Sequence, residues 1–467
     1  MRETKLLLDD RLIRAKENVA LELGRVRKEA SNPLLAEQYF ADPPKRWETR
    51  IDNMYPNVMY DDADGLFKLW YTCFVIDEVS AATPLSARPH QPYAGYRNRE
   101  MAVLYAYSRD GLEWVKPDLG IVEFDGSKRN NIVLRGVHGA GVFKDTHETN
   151  PRRRYKMFMK HGERGPDAMA VSFSPDGLRW EPPTPWPRHN ARGDTHNNAF
   201  YDGRSGQYIA FTREWIDGVR VVARTQSSNF TDWTKPEVVL AGNDPHAQVY
   251  SMPVFPYGDI YIGLPAIFHT DQDAPDFDSV TCELAWSPDT VEWHRVCPGQ
   301  SFITLGAGSY PTGDADCGAI YASVPVFRGD EMNLYYGGGN GRHTAFRETS
   351  LLLARLGADR FAGYRAADPN RPGRIAVHYR HEDCPDGELH VTAEIGEGGY
   401  VKAALTDRNG NELPGCGFAD CAAVRRSGTD VPIRWSRGAL PAAGPEEMAI
   451  VFEVAGRNSV LYAYFIG

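Results

Sequence analysis

Along most of the chain, apolar and polar positions alternate in short runs, and five segments repeat one pattern. Each has a brief apolar strand, a turn rich in Asp and Gly, and a second strand rich in aromatics. They read YPNVMYDDADGLFKLWYT, GAGVFKDTHETNPRRRYKMFM, NNAFYDGRSGQYIAFT, SMPVFPYGDIYIGLPAI and IYASVPVFRGDEMNLYYGG. A period of two bounded by such turns predicts β-hairpins. Helical periodicity is nearly absent after residue 45, and Val, Tyr, Phe and Ile dominate. The stretch Asp10 to Ala36 reads either as a helix or as an extended strap.

A second motif follows the hairpins. SRDGLEW, SPDGLRW, SSNFTDW and SPDTVEW end at Trp114, Trp180, Trp233 and Trp293, which are 66, 53 and 60 residues apart. SLLLARLGADRF, Ser350 to Phe361, is a degenerate fifth copy. A period near sixty suits one four-stranded blade with generous loops, so five hairpins with their closing turns predict an all-β, five-bladed β-propeller. Asp110 and Asp176 read as turn formers, with Trp114 and Trp180 as core fillers.

Composition shifts at the Pro/Gly-rich linker AADPNRPGR near Ala366. Beyond it, alternating strands with DG-, NG- and RN-type turns predict a small C-terminal β-sandwich. The expected division is residues 1–45 as an N-terminal strap, 46–365 as the propeller and 372–467 as the sandwich.

Charge narrows the partners. A net charge of −10 without Lys/Arg blocks argues against nucleic acid and anionic membranes. MRETKLLLDDRLIRAKENVA lacks a signal-peptide core, and no apolar run approaches membrane-spanning length, so a cytoplasmic location is expected. Seven cysteines show no CxxC pair and no metal-like spacing, which favours free, buried thiols; a Cys416–Cys421 bridge is the alternative. No cofactor or metal is called for. Homo-oligomer contacts could use the C-terminal module or the long insertion from Asp77 to Arg99.

Residues just ahead of the innermost strands of a propeller cluster at one mouth of its channel. RGDTHNNAFYD supplies Arg192, Asp194, His196, Asn197 and Asn198 there. The same offset selects Glu48, Arg50, Asp52 and Asn53 on the first unit and His138 on the second. On the fourth it selects Asp244, His246, Gln248 and Tyr250, and on the fifth Asp314 and Asp316. Arg342 and His343, in the loop GGGNGRH, could reach the same place. Carboxylates, amides, imidazoles and arginines with aromatic faces such as Tyr55, Trp70 or Trp215 suit a carbohydrate substrate. Paired carboxylates are what glycosidic cleavage requires. His138 and His246 read equally well as core or loop histidines.

On these blades and Asp-bearing inner strands the chain resembles the five-bladed β-propeller glycoside hydrolases, the superfamily of invertases, levanases, arabinanases and β-xylosidases. It is nearest to family-32-like hydrolases with GDTHNN and SPDGLxW segments. The resemblance implies an exo-acting glycosidase in which Asp52 is nucleophile or base and Asp194 stabilises the transition state. It implies a Glu as general acid, but the NDPNG, Arg-Asp-Pro and Glu-Cys signatures are absent. The acid is therefore open among Asp244, Asp316, Glu148 and Glu214, with Glu214 ranked low because its strand is expected to return to the opposite mouth. Two other functions compete: a phosphorylase using Arg50, Arg192 and Arg342 for phosphate, and a non-catalytic sugar-binding propeller.

Overall fold

The computed structural model describes residues 4–95, 98–162, 168–380, 387–436, 438 and 447–467. Cys384 and two residues of the long insertion lie outside them. The fold is all-β, with a single five-residue α-helix, Glu78–Ala82, among the described residues.

Three antiparallel sheets follow one another along the chain. The first is built on Asn57–Asp61, Leu66–Asp77 and Arg99–Ser108, with Ile132–Arg135 at its edge. The second runs through Val137–Lys144, Tyr155–His161, Ala168–Ser174 and Thr184–Pro185, and the third through Asn198–Asp202, Gln207–Ile216, Val219–Ser227 and Glu237–Leu240. In the fourth unit, Val254–Tyr257, Ile260–Gly263, Leu284–Ser287 and His294–Val296 form a sheet of their own. Ala247–Ser251, Ala266–His269 and Val280–Cys282 instead continue, through a parallel link at Val280 and Ala319, into the fifth unit. There Val326–Arg328, Glu331–Gly339 and Thr349–Gly357 pair in order, and the outer partners come from the N-terminus: Arg27–Lys28 and Leu35–Ala36.

The repeated turn has one geometry in four copies. Ser108, Ser174, Ser227 and Ser287 accept backbone N–H bonds through their hydroxyls. Asp110, Asp176, Asn229 and Asp289 accept from the backbone amides two and three residues further on. The following residue is left-handed each time: Gly111 at φ 80°, Gly177 at 76°, Phe230 at 63° and Thr290 at 72°. Glycine suits this position because it carries no Cβ penalty at positive φ.

Neighbouring units are stapled by a second repeat. An aspartate closing the first strand of one unit accepts from a tyrosine opening the second strand of the next. Tyr155 donates to Asp61 at 2.8 Å, Tyr208 to Asp145 at 2.7 Å and Tyr261 to Asp202 at 2.8 Å. Asn57 and Asn198 also join adjacent first strands, accepting from the backbone N–H of Val142 and Val254. Residues from the first strands of all five units line one cavity of about 550 Å³.

The N-terminal stretch is extended, not helical, in its described secondary structure apart from one 3₁₀ turn at Asp10–Leu12. It pairs with the C-terminal module. Lys5–Leu6 and Val19–Leu23 join a sheet with Ala362–Ala366, Val460–Ile466, Leu389–Glu394 and Gly428–Pro432. Ile13–Glu17 edges a second sheet with Gly373–Tyr379, Met448–Ala455 and Tyr400–Asp407. Leu7, Val377, Val391, Leu405, Ile450 and Phe452 bury a common core between them. Cys421 is a free thiol, so no bridge joins it to Cys416.

Candidate functional site

Arg50 enters the first unit fully buried, with its backbone bridged to Phe74. Its guanidinium donates to Asp52 Oδ1 at 3.1 Å and to the Ala345 carbonyl, and the Tyr93 ring of the long insertion covers it at 3.9 Å. Arg347 donates to the same Asp52 oxygen at 3.1 Å and to Asn53 Oδ1 at 2.6 Å. Asp52 is thus clamped by two guanidinium groups, with 20% of its side chain exposed.

The polar density of Arg192 to Asn198 is mostly architectural. Asn197, fully buried, donates to the carbonyls of Gly139 and Gly193 and accepts from Thr212. Thr195 donates to the Tyr250 carbonyl at 2.7 Å. His196 stacks on Tyr55 and reaches Asn57, and Asn198 holds the next first strand. Gly193 sits at φ 59°, and a Cβ there would meet Met169 Sδ at 2.2 Å. Two side chains of the segment stay exposed: Arg192, and Asp194, 53% exposed, with His138 Nε2 at 2.8 Å and Arg213 Nη1 at 3.6 Å.

The two aspartates belong to one network. From Asp52 it runs through Arg347 and Asn53 to the hydroxyls of Tyr55 and Tyr250, which accept from Asn53 at 2.7 and 3.0 Å. Arg213 donates to the Tyr250 carbonyl at 2.8 Å and faces Asp194. Tyr321 and His343 pack against the same tyrosines, 2.7 Å apart at their polar atoms. The 550 Å³ cavity follows the first strands toward their far ends at Asp61, Asp62 and Ala63, and Asp52 and Asp194 are not among its walls. A second cleft of about 470 Å³ borders Asp194 and His138.

Electrostatics separates the carboxyls. Burial would raise the pKa of Asp52, but Arg347 and Arg50 hold it well below the usual carboxylate range. Burial also opposes ionisation of Asp194, and His138 and Arg213 outweigh it, again driving the pKa down. Glu214 shifts the other way: burial raises it, against weaker opposition from the backbone N–H and guanidinium of Arg192. Burial likewise lowers His196 to about 4.

Glu214 lies at the same end as Asp194, which corrects the expected strand direction. The first strand of the unit leaves the site and the second returns: Asn198 pairs with Phe211, and Gly193 N–H bonds the Arg213 carbonyl. Glu148 is at the opposite end, in the turn that follows Val137–Lys144, where it accepts from Lys156 at 2.9 Å.

The other sequence candidates are dispersed. Asp316 is 2% exposed and held by Lys28 at 2.5 Å and Tyr336 at 2.8 Å. Asp244 is exposed and caps His246 N–H, and His246 shares that exposed turn. Gln248 accepts from Arg220 at 2.8 Å. Arg192 is exposed, and Arg342 is exposed over the Phe277 ring. No cluster of three His, Cys, Asp or Glu able to hold a metal ion occurs among the described residues.

Sequence reasoning missed Arg347, Arg213 and Tyr321. Arg347 follows the fifth unit's second strand in a loop, and only the fold brings it across to Asp52. Arg213 had a readable signal: a charged residue in FTREW, at the end of a strand that returns to the site.

No family model and no curated protein matches this chain. Solved structures are similar to it. One is a glycosyl hydrolase from Bacteroides ovatus, 13% identical, with a TM-score of 0.48 over 71% of this chain and 94% of that one. Another comes from a study of the GH130 family of mannoside phosphorylases, which contains glycoside hydrolases that target β-1,2 mannosidic linkages in Candida mannan. It is 13% identical, with a TM-score of 0.47 over 71% of this chain and 94% of that one. A third is an N-acetylgalactosamine deacetylase from F. plautii in complex with blood group B trisaccharide, 13% identical, with a TM-score of 0.47 over 72% of this chain and 96% of that one. These neighbours are carbohydrate-active proteins.

Proposed function

We propose that the five units are the blades of a β-propeller, that the two C-terminal sheets form a sandwich against it, and that the protein is a glycoside hydrolase. One observation carries the reading. Asp52 and Asp194, both kept ionised, and Glu214, a carboxyl that burial favours in its protonated form, all lie at the end where the first strands begin. Carboxyls whose environments push their pKa values apart divide into acid and base roles.

In this reading Glu214 protonates the leaving-group oxygen. Asp194, exposed at the cleft, attacks the anomeric carbon or activates water. Asp52, enclosed between two guanidinium groups, stabilises positive charge on the sugar ring. This reverses the roles that the resemblance implies for the two aspartates, because a clamped oxygen meets substrate less readily than an exposed one. Water returns the proton balance, replacing the aglycone at the anomeric carbon.

The test is turnover of a panel of aryl glycosides and oligosaccharides, followed by Asp194→Gly with azide. Restored turnover with a glycosyl azide product identifies Asp194 as nucleophile. A folded protein that turns over no member of the panel removes the hydrolase reading. Phosphorolysis is the second reading, and Arg192 and Arg342, both exposed, favour it. Arg50 is already committed to Asp52. Phosphate-dependent turnover would establish it.

A further inference from the structure

Ten tryptophans are spread along the chain, and nine of them are buried or half-buried. Trp215 alone is exposed, at 37%. A single exposed apolar side chain is ordinary on a protein surface, but this one stands at the candidate site. The second strand of its unit, Gln207–Ile216, runs on past Phe211, the residue that pairs with the start of the first strand at Asn198. Beyond that point the hairpin continues with Val219–Ser227, through the pairs Arg213–Val222, Glu214–Val221, Trp215–Arg220 and Ile216–Val219. Its tip therefore projects past the first strand at the end where Asp194 lies.

Side chains directly opposite each other across two strands share a face of the sheet, as do those two residues apart along one strand. Arg220 and Arg213 are therefore on the Trp215 side of the hairpin, and the distances agree. Their guanidinium carbons lie 4.5 Å and 6.0 Å from the centre of the Trp215 ring. Arg220 is itself anchored, donating to Gln248 Oε1 at 2.8 Å and packing 4.9 Å from the Phe268 ring. A guanidinium held over an indole is attracted by the negative face of the ring, so Arg220 props the indole in one orientation. Arg213 spans the gap from the indole to the candidate site, with its Nη1 3.6 Å from Asp194 Oδ2. Tyr55 and Trp70, the other aromatic faces that the sequence offers to a sugar, are fully buried and present no surface to one.

We propose that Trp215 is the stacking platform for a second sugar ring, adjoining the ring at Asp194. The proposal rests on the glycoside-processing reading and names its substrate class: an oligosaccharide rather than a glycoside of a single sugar. The C–H face of a sugar ring is apolar and covers an aromatic face while the hydroxyls at its rim stay in water. Trp215 touches no reacting atom in this arrangement; it determines specificity through binding.

The experiment reads the indole itself. Acrylamide quenching of tryptophan fluorescence is measured with and without cellobiose, β-1,4-mannobiose, xylobiose and sucrose, and with glucose, mannose, xylose and fructose. At least one disaccharide should shield the fluorescence and bind about tenfold more tightly than its monosaccharides, as one aromatic contact allows. Trp215→Ala should abolish the shielding and weaken that binding by about tenfold, and Trp215→Phe, which keeps a ring, should recover most of the loss. In turnover of the same disaccharide Trp215→Ala should raise KM and leave kcat within about threefold. Both variants should keep the urea midpoint of the parent, because the side chain is exposed. Shielding and binding without turnover keep this inference and remove the hydrolase reading. Disaccharide turnover by Trp215→Ala at the parental KM overturns the inference and keeps the hydrolase. A panel in which no disaccharide shields the indole also overturns it.

Discussion

Asp52 and Asp194 look alike in the sequence, and their surroundings make them different tools. Neutralising Asp52 leaves Arg50 and Arg347 buried without a counter-charge, a change that costs about 3–5 kcal/mol for a buried pair. Asp52→Asn should therefore lower both stability and turnover. Asp194→Asn, at a half-exposed position, should lower turnover while its urea midpoint stays near that of the parent. Equal destabilisation by the two would contradict the clamp. Glu214→Gln should cut kcat by about 10²–10⁴-fold and remove the alkaline limb of the pH–rate profile, since deprotonation of a raised carboxyl ends its service as a donor. His196 gives a separate pH signature. Its folded pKa of about 4 lies below the free value, so the unfolded chain binds the proton first as pH falls. Stability is full above about pH 6.5 and declines toward pH 4, by roughly 3 kcal/mol for that gap. His196→Gln should flatten urea-derived stability across that window.

At the level of the element, the closing turns and the Asp–Tyr staples do the repeated work. Gly177→Ala places a Cβ at φ 76° and 2.6 Å from the Trp70 ring, so it should destabilise beyond the roughly 1 kcal/mol of a simple backbone effect. Tyr208→Phe removes the bond to Asp145 and should cost about 1–2 kcal/mol in urea unfolding. A neutral result would mean that the staple marks the repeat without stabilising it. The hairpins and turns were legible because their signals are local: alternation, Asp-Gly turns, and Ser and Asp that cap their own backbone. The direction of the second strand was legible too, and Glu214 was misplaced only because that rule was applied backwards.

For the whole molecule, the N-terminal segment ties the two parts together. Its strands edge both C-terminal sheets and supply the outer partners of Thr349–Gly357. A chain beginning after Ala36 should lose cooperative unfolding and near-UV dichroism. If it keeps one sharp transition, those pairings are dispensable. None of this was visible in Asp10 to Ala36, whose partners lie more than 300 residues away in the chain.

By itself the sequence determined the strand content, the repeated hairpins and the turn chemistry, and it placed Asp52 and Asp194 just ahead of first strands, since each is written in neighbouring residues. Tertiary structure alone decided which polar groups serve the architecture and which remain for chemistry. Asn197, His196 and Asp316 are spent on carbonyls, a ring and a lysine, while Arg347 arrives from another unit and Arg213 from the returning strand of Asp194's own unit to set the charge of the two aspartates. The physical reason is that burial and charge pairing depend on distances in space, and those are fixed only when residues far apart in the chain are brought together by the fold.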